Sequence, residues 1–276
     1  KAMENTGMIR VQATEVYRNP IRTTECEQTK ALLSPAQREV ADGILNGWRE
    51  NDFRPVVIHG VTGSGKTQVY MELMEEVLNR GKQVILLIPE IALTYQTVQR
   101  FYRRFGDRIS VLHSRLSPGE RSDQFERAKK GELQVMIGPR SALFTPFPNL
   151  GLIVIDEEHE AAYKSEQVPR YHARETAIER ASLEGASVVL GSATPSMEAF
   201  YRCELGEYTL LELKRRTAKA ELPEVYTVDM REELQKGNRS ILSDRLHELM
   251  EDRLKKKEQI MKKRNPTKNK PLSPEE

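Results

Sequence analysis

Six short apolar runs, separated mostly by segments with helical spacing, constrain the fold of this chain more than any other feature. They are apolar at consecutive positions, which is typical of strands buried on both faces. Strands of that kind belong to parallel sheets that helices cover. The runs occupy residues 56–60, 84–89, 109–113, 134–138, 152–156 and 187–192. We therefore expect an α/β domain with a doubly wound, mostly parallel sheet and helices on both faces.

Helix signals fill several of the intervals. Ser34 is a good N-cap and Pro35 suits the first helical position, so a helix is predicted to start there. The segment from residue 67 is predicted to be a helix that Gly81 closes, and a further helix is predicted between Ser117 and Gly131. The stretch SDRLHELMEDRLKKK also has helical spacing.

The pattern divides the 276 residues into four parts, which fit one large domain with appendages. Residues 1–30 are predicted to be a linker or the remnant of an upstream domain, and 31–205 the main lobe. Residues 206–257 are predicted to extend that lobe, and 258–276 to be a disordered basic tail that is solvated or binds DNA electrostatically. A start at Lys1 without an initiator methionine is consistent with a piece of a longer polypeptide.

Composition excludes several classes of protein. The chain has 43 Lys+Arg against 41 Asp+Glu, so any attraction to nucleic acid depends on local patches rather than on the net charge of +2. Its two cysteines, Cys26 and Cys203, are far apart, which predicts neither a disulfide framework nor a structural zinc site. With no long apolar run and no signal peptide, we expect no membrane association and a location in a reducing cytoplasm.

The segment GVTGSGKT matches the phosphate-binding pattern GxxxxGK[ST] between a predicted strand and a predicted helix, the context that this motif requires. Its backbone N–H groups and the helix N-terminus are predicted to bind the phosphates of ATP. Lys66 is predicted to reach the β- and γ-phosphates, and Thr67 to ligate Mg²⁺. The predicted nucleotide-binding residues here are Gly60, Val61, Thr62, Gly63, Ser64, Gly65, Lys66 and Thr67.

Acidic residues follow the fifth apolar run in the sequence DEEH. Asp156 is predicted to lie beside the Mg²⁺ that Thr67 holds, and Glu157 to polarise the attacking water. The alternative is that these charges only solvate the end of a strand. After the sixth run, GSATPS places Ser192 and Thr194 at the carboxyl end of the sheet, where ligands bind in open α/β sheets, although a plain polar turn would also fit.

With these three segments in order, the chain resembles superfamily-2 helicases of the DExH type, which have a RecA-like P-loop NTPase fold. GVTGSGKT corresponds to motif I, DEEH to motif II and SAT to motif III. More narrowly, it resembles the primosomal replication-restart DNA helicases of bacteria over about residues 10–250. The segments that carry this narrower resemblance are LLIPEIALTYQ, VLHSRLSPGER, GPRSALFTPFPNLGLIVIDEEHEAAYK and RYHARETA.

This resemblance implies ATP-driven 3′-to-5′ unwinding at stalled or repaired replication forks. It also implies single-stranded and forked DNA, primosome proteins and single-stranded DNA-binding protein as partners. It implies a second lobe with an arginine finger, and zinc-binding cysteines, both beyond this chain, so the isolated lobe is expected to be nearly inactive. It also implies that Gln37 reads adenine, unless Gln37 is an ordinary helix-surface residue. Alternative functions are those of an RNA helicase or restriction-type translocase, or of a DNA- or partner-binding lobe without turnover.

The segment after DEEH resembles the aromatic-rich loop by which that family couples DNA binding to hydrolysis. The resemblance implies that aromatic rings stack on bases and basic side chains meet phosphates. The chain departs from the family at Val168 and Pro169, where a Gly-Trp pair is usual. The alternative is that this loop, through Tyr171 and Arg174, only docks onto the lobe. The predicted DNA-binding residues of the loop are Tyr163, Lys164, Arg170, Tyr171, His172 and Arg174.

Further DNA contacts are predicted after the second and fourth runs. Arg140 is predicted to meet phosphate, with an intramolecular ion pair as the alternative, and Pro139 replaces the threonine that is usual in the family. The residues predicted with it are Ser141, Thr145, Pro89, Glu90 and Thr94. His159 is predicted to couple the ATP site to motif III through Ser192 or Thr194.

Overall fold

The computed structural model describes residues 32–216 and 225–256, which fall in two compact units, Lys1–Ala220 and Glu221–Glu276. The strands are β1 Val56–Gly60, β2 Gln83–Leu87, β3 Ile109–Val111, β4 Val135–Gly138, β5 Leu150–Asp156, β6 Ser187–Ser192 and β7 Thr209–Leu213. The helices are α1 Pro35–Arg49, α2 Lys66–Asn79, α3 Tyr95–Phe105, α4 Pro118–Lys129, α5 Ala173–Glu184, α6 Met197–Glu204, α7 Met230–Gln235 and α8 Asp244–Lys255. None of these helices of the described residues is long and apolar enough to cross a membrane.

The seven strands form one sheet in the order β3-β4-β2-β5-β6-β1-β7, and every neighbouring pair is parallel. The predicted α/β fold with a doubly wound sheet is thereby confirmed, and each of the six apolar runs contributes a strand. Because every neighbouring pair is parallel, the carboxyl ends of all seven strands lie at one edge of the sheet.

Neighbouring apolar residues of one strand pack in two different cores, one on each face of the sheet. On β1, Ile58 packs in the core beneath α1, α2 and α3, whereas Val57 packs in the core beneath α5. On β2, Val84 and Ile85 divide in the same way. This division explains the continuous apolar runs, because side chains on both faces of the sheet leave water on folding.

The predicted helix starts are confirmed by their caps. The Ser34 side chain accepts a hydrogen bond from the Gln37 N–H, and the Gln37 side chain accepts one from the Ser34 N–H, which completes a capping box. Ser117 and Glu120 form the same motif at the start of α4. Each box satisfies backbone donors that a helix N-terminus leaves without an intrahelical partner.

The sheet continues into residues 206–257, which the sequence pattern predicts to extend the main lobe. Strand β7 pairs with β1 from Val56 opposite Thr209 to Gly60 opposite Leu213. It was not predicted as a strand because it lies at the sheet edge, so only Leu213 is buried and the continuous apolar run is missing.

The second unit contains α7 and α8, and α8 confirms the helix predicted in SDRLHELMEDRLKKK. Glu233 accepts a hydrogen bond from the Asp244 N–H at 2.7 Å and another from Asn238, which lowers the pKa of its carboxyl. The predicted linker at 1–30 and the predicted disordered tail at 258–276 lie outside the described residues.

Candidate functional site

The loop between β1 and α2 forms a cradle that depends on its glycines. Gly63 and Gly65 have φ angles of 80° and 85°, in the left-handed region that glycine tolerates best. A Cβ atom on Gly60 would lie 2.7 Å from Ser64 Oγ and 3.0 Å from Lys66 Cγ, so the backbone and these side chains meet too closely for any larger residue. Gly65 also precedes α2, and no side chain of the described residues caps that helix. Its N–H groups are thus directed at the space where a phosphate would bind.

Lys66 lies inside this cradle with 8% of its side chain exposed. Its Nζ donates a hydrogen bond to the carbonyl oxygen of Gly60 at 2.8 Å and lies 3.9 Å from Glu157 Oε1. The GVTGSGKT loop and the DEEH segment are therefore adjacent in space. The order of strands and helices along the chain does not by itself require this. The lysine is oriented across the phosphate-binding loop, where an ammonium group neutralises bound anions.

Asp156, at the end of β5, accepts a hydrogen bond from the Tyr70 hydroxyl at 3.0 Å. Burial, followed by the negative charge of Glu157, raises the pKa of Asp156 to about 6, while Tyr70 and Lys66 act in the opposite direction. Burial and the neighbouring Asp156 charge also raise the pKa of Tyr70 well above its usual value. Because its pKa is raised, ionising the Asp156 carboxyl costs free energy in the folded chain. A bound divalent cation would offset that cost, so the carboxylate is suited to bind one.

Tyr70 contributes to the site although its position in the middle of α2 gave no sequence signal. It lies fully buried against Gly191 of β6, where a Cβ atom would be 1.5 Å from the tyrosine oxygen. A glycine at this position of the strand lets the hydroxyl pass over the sheet and reach Asp156.

Glu157 has a φ of 47°, one of two left-handed non-glycine residues in the described part of the chain. Its Oε1 faces Lys66, and its Oε2 lies 3.8 Å from His159 Nδ1. Such backbone strain is common where a side chain must be held in a functional direction. The DEEH segment therefore turns sharply after the strand, and the alternative that it merely solvates a strand end does not account for these contacts.

Gln37 is buried, with 2% of the residue exposed, so it is not an ordinary helix-surface glutamine. Its Nε2 donates a hydrogen bond to the carbonyl oxygen of Ser64 at 2.9 Å, and its Oε1 accepts one from the Ser34 N–H. Helix α1 is thereby connected directly to the phosphate cradle.

One cavity of about 640 Å³ joins these groups, a volume in the usual range for small-molecule sites. Its lining residues are Leu32, Gln37, Thr62, Gly63, Ser64, Gly65, Lys66, Thr67, Gln68, Arg100 and Glu157. The glycine cradle, the lysine and the hydroxyl and carboxylate groups fit a nucleoside triphosphate with Mg²⁺. The sequence did not predict three of the lining residues, Leu32, Gln68 and Arg100.

His159 and motif III are joined by hydrogen bonds, as the coupling prediction required. His159 Nδ1 lies 2.7 Å from Ser192 Oγ, and Ser192 Oγ accepts a hydrogen bond from the Thr194 N–H at 3.0 Å. The serine hydroxyl is fully buried at the end of β6. Contact to Thr194 is through its backbone, and the Thr194 side chain is exposed.

Glu158 is a further residue of this site that sequence reasoning missed. It is 2% exposed and pairs with Arg174 at 3.1 Å. It also accepts hydrogen bonds from the Ser196 N–H and hydroxyl at 2.6 and 3.0 Å. The prediction that Arg174 binds DNA phosphate is therefore wrong, because the guanidinium is 5% exposed and already paired. As the stated alternative proposed, Arg174 docks the loop onto the lobe.

Tyr163 lies in the interior of the lobe, so the prediction that it stacks on bases is also wrong. Its ring is 1% exposed, and its hydroxyl donates to the carbonyl oxygens of Asp156 at 2.6 Å and of Leu87 at 3.1 Å. Burial raises the pKa of Tyr163. The side chain fixes the end of β5 against β2. A tyrosine in an aromatic-rich segment can pack in this way or stack on bases, and the sequence does not distinguish the two roles.

The remaining loop residues stay accessible. Lys164 and Arg170 are exposed, and Tyr171 and His172 are partly exposed around a cavity of about 610 Å³. Tyr171 packs edge-on against Phe144, with ring centroids 5.2 Å apart. His172 also caps α5, since its Nδ1 accepts a hydrogen bond from the Arg174 N–H, and burial lowers the pKa of the imidazole.

Arg140 makes no ion pair with the described residues, and its predicted phosphate contact stays a prediction. Its Nη1 donates to the carbonyl oxygens of Ala162 and Lys164 at 3.0 and 2.8 Å, which ties the loop to the turn after β4. Thr145 is fully buried and donates to the Ala142 carbonyl, so its predicted DNA contact is wrong.

The four other predicted DNA contacts differ in their exposure. Pro89 is buried and Ser141 partly exposed, while Glu90 and Thr94 are exposed. Glu90 accepts a hydrogen bond from the Ser114 N–H at 2.9 Å, and hydrogen bonding to the Ser114 side chain and then to its backbone lowers the pKa of the Glu90 carboxyl.

Comparison with known proteins places this geometry in a family. The model of the DEAD/DEAH box helicases matches residues 34–201. The chain is 46% identical over 262 residues to the replication restart protein PriA of Bacillus subtilis, covering 95% of this chain and 32% of that protein. With PriA of Synechocystis sp. it shares 45% identity over 232 residues, 82% of this chain and 27% of that one. The chain thus spans about a third of the length of the curated relatives it matches.

A solved structure has the same fold at lower identity. The structure of RecG bound to a three-way DNA junction aligns with a TM-score of 0.50 and 21% identity, over 70% of this chain and 25% of that one. This likeness concerns the fold alone.

Proposed function

The chain belongs to the DEAD/DEAH box helicases, and from that premise we propose that it is the ATP-binding first lobe of a DNA helicase acting in replication restart. The observation that carries the proposal is the cavity that Gln37, residues 62–67 and Glu157 line together. The identity of 40% and more with several PriA proteins supports the replication-restart role.

Within this cavity and at the adjoining end of β5 we assign a separate role to each group. The cradle and Lys66 bind the triphosphate, Gln37 reads the adenine edge, and Thr67 and Asp156 hold Mg²⁺. Glu157 orients the attacking water and takes its proton, because its carboxylate lies between Lys66 and His159. Mg²⁺, when bound, supplies charge neutralisation on the transferring phosphoryl group.

DNA binding is proposed for the exposed part of the loop after DEEH. Lys164 and Arg170 would bind phosphates, and Tyr171 presents a partly exposed ring beside them. The same loop is tied to motif II by the buried pair of Arg174 and Glu158. If DNA binding moves the loop, this ion pair would move with it, because the pair is costly to break. The end of β5, where Asp156 and Glu157 lie, would then shift as well.

Several properties of the whole protein are proposed from its relatives and not from this lobe. We propose a second lobe with an arginine finger, 3′-to-5′ translocation, and primosome proteins and single-stranded DNA-binding protein as partners. A cytoplasmic, nucleoid-associated location follows from the same proposal, as does zinc in a part of the protein outside this chain. The isolated lobe is expected to hydrolyse ATP very slowly, since the arginine finger contributes several orders of magnitude in rate.

Binding of a fluorescent ATP analogue with Mg²⁺ tests this function. The chain and its Lys66→Ala variant are titrated with the analogue, first alone and then with single-stranded or forked DNA. We expect binding that depends on Lys66 and tightens with DNA. If Lys66→Ala binds as well as the parent, the assignment of the cradle is wrong. If only the DNA effect is absent, the coupling function of this lobe is wrong and the nucleotide site stands.

An RNA helicase or translocase is distinguished in the same titration. Single-stranded RNA of matched length replaces the DNA, and the proposal predicts that DNA tightens nucleotide binding more than RNA does. Equal or stronger linkage to RNA contradicts the DNA helicase assignment while leaving the ATP site intact.

A further inference from the structure

Tyr70 of α2 carries a hydroxyl into the interior beside the nucleotide site. The residue is fully buried in the core beneath α1, α2 and α3. It lies four residues after Lys66 and three after Thr67, so the three side chains share one face of the helix. A phenylalanine would fill the same apolar space without a hydroxyl that needs a hydrogen-bond partner in the interior. What distinguishes tyrosine at this position is therefore the group that its hydroxyl binds.

That group is the carboxylate of motif II. The Tyr70 hydroxyl donates a hydrogen bond to Asp156 Oδ1 at 3.0 Å, and no other side chain of the described residues donates to this carboxylate. The backbone of Asp156 is held separately, because its carbonyl oxygen accepts a hydrogen bond from the Tyr163 hydroxyl at 2.6 Å. The two tyrosines belong to the cores on opposite faces of the sheet. Tyr163 thus fixes the end of β5, whereas Tyr70 fixes the direction of the Asp156 side chain.

Gly191 of β6 leaves the space through which Tyr70 reaches this carboxylate. It is the partner of Asp156 across the parallel pair of β5 and β6. A Cβ atom on Gly191 would lie 1.5 Å from the Tyr70 oxygen and 2.6 Å from Tyr70 Cζ, so no larger residue fits there. Glycine weakens the interior of a strand and often marks a close approach by another group. Here that group is the end of the Tyr70 side chain.

We propose that Tyr70 is a positioning residue for Mg²⁺, because its hydroxyl holds the Asp156 carboxylate in the direction that the metal requires. This inference rests on the proposed function, in which Thr67 and Asp156 hold Mg²⁺. Both residues supply oxygen ligands, which Mg²⁺ prefers. Helix α2 then sets the position of one ligand directly, through Thr67, and that of the other through the Tyr70 hydroxyl. Groups that orient a metal ligand in this way commonly contribute roughly 10–100-fold to metal affinity.

Tyr102 of α3 provides a matched control. It packs against the same core, and its hydroxyl donates to the Asp107 carboxylate at 2.7 Å. Neither Tyr102 nor Asp107 lines the nucleotide cavity. Tyr70→Phe and Tyr102→Phe therefore each remove a hydroxyl that donates to an aspartate. Both variants are first checked for cooperative unfolding in urea, and their affinity for a fluorescent ATP analogue is then measured in Mg²⁺ and in EDTA.

We expect Tyr70→Phe to bind the analogue about tenfold more weakly than the parent in Mg²⁺, and to match the parent within about twofold in EDTA. A disturbed phosphate cradle would instead weaken binding in both conditions, because the cradle contacts the phosphates with or without the metal. Tyr102→Phe should match the parent in both. In an Asp156→Asn background, Tyr70→Phe should cause no further loss in Mg²⁺, since the hydroxyl acts through that carboxylate.

Three results would overturn the inference. Equal affinities of Tyr70→Phe and Tyr102→Phe in Mg²⁺ show that the Tyr70 hydroxyl does not position a metal ligand. Equal losses for Tyr70→Phe in Mg²⁺ and in EDTA assign it a packing role alone. A further loss in the Asp156→Asn background shows that the hydroxyl acts through another group.

The failure of this inference is distinguishable from that of the proposed function. In each of the three cases the parent still binds the analogue in a Lys66-dependent way, so the nucleotide site stands. A parent with the same affinity in Mg²⁺ and in EDTA refutes the inference together with the proposed Mg²⁺ site. A parent that does not bind the analogue refutes both the inference and the proposed function.

Discussion

Replacing Asp156 with asparagine is expected to stabilise the folded lobe at high pH while it removes Mg²⁺-dependent nucleotide binding. In the folded chain burial raises the pKa of this carboxyl from 3.8 to about 6. Because the folded pKa is the higher one, the folded state favours the protonated form. Stability from this group is therefore present at low pH and is lost as the pH rises toward the folded pKa.

The size of this effect follows from the two pKa values. The ionised carboxylate costs the folded state ~3 kcal/mol at pH 8 and ~1 kcal/mol at pH 4.5. An asparagine is never ionised, so Asp156→Asn should raise the free energy of unfolding by up to ~3 kcal/mol at pH 8. The asparagine Oδ1 can still accept the hydrogen bond from the Tyr70 hydroxyl, so this contact is kept at either pH.

Urea unfolding of the parent and variant, without nucleotide or Mg²⁺, measures this difference at both pH values. Asp42→Asn, at an exposed carboxylate on α1, serves as the control and should change stability little at either pH. A stability gain for Asp156→Asn that is the same at pH 8 and pH 4.5 would refute the reasoning, because a gain independent of pH cannot come from ionisation.

Three further substitutions test the geometry of the site. Gly60→Ala should cost about 1–3 kcal/mol in urea unfolding and weaken ATP binding, because its Cβ would meet Ser64 Oγ at 2.7 Å; unchanged stability contradicts the close packing. Ser192→Ala should leave ATP affinity within about twofold and abolish its tightening by DNA, since it removes the hydroxyl that joins the DEEH histidine to motif III. Arg174→Ala should destabilise the lobe by about 3–5 kcal/mol by leaving Glu158 buried and unpaired; the double variant with Glu158→Gln should recover part of that loss, and no recovery would show that the pair is not the cause.

The DNA-contact predictions failed where a polar or aromatic side chain lies in the interior. Tyr163 and Arg174 have the residue types of a DNA-binding loop, yet their contacts are with backbone carbonyls and with Glu158. A sequence gives the chemistry of a side chain but not the direction in which a non-helical loop points it. Three consecutive acidic residues, 156 to 158, illustrate the same limit, because only the turn with positive φ at Glu157 sends Glu158 into the protein.

The sequence by itself determined the parallel sheet, the helix starts and the phosphate cradle. These are local properties: apolar runs, caps and a glycine pattern act within a few residues of the chain, so their spacing is visible without a structure. Only the tertiary structure decided that Gln37, Tyr70 and Arg100 lie at the same site as the cradle. They lie on three helices separated in sequence, and the packing of those helices on one face of the sheet is what brings them together.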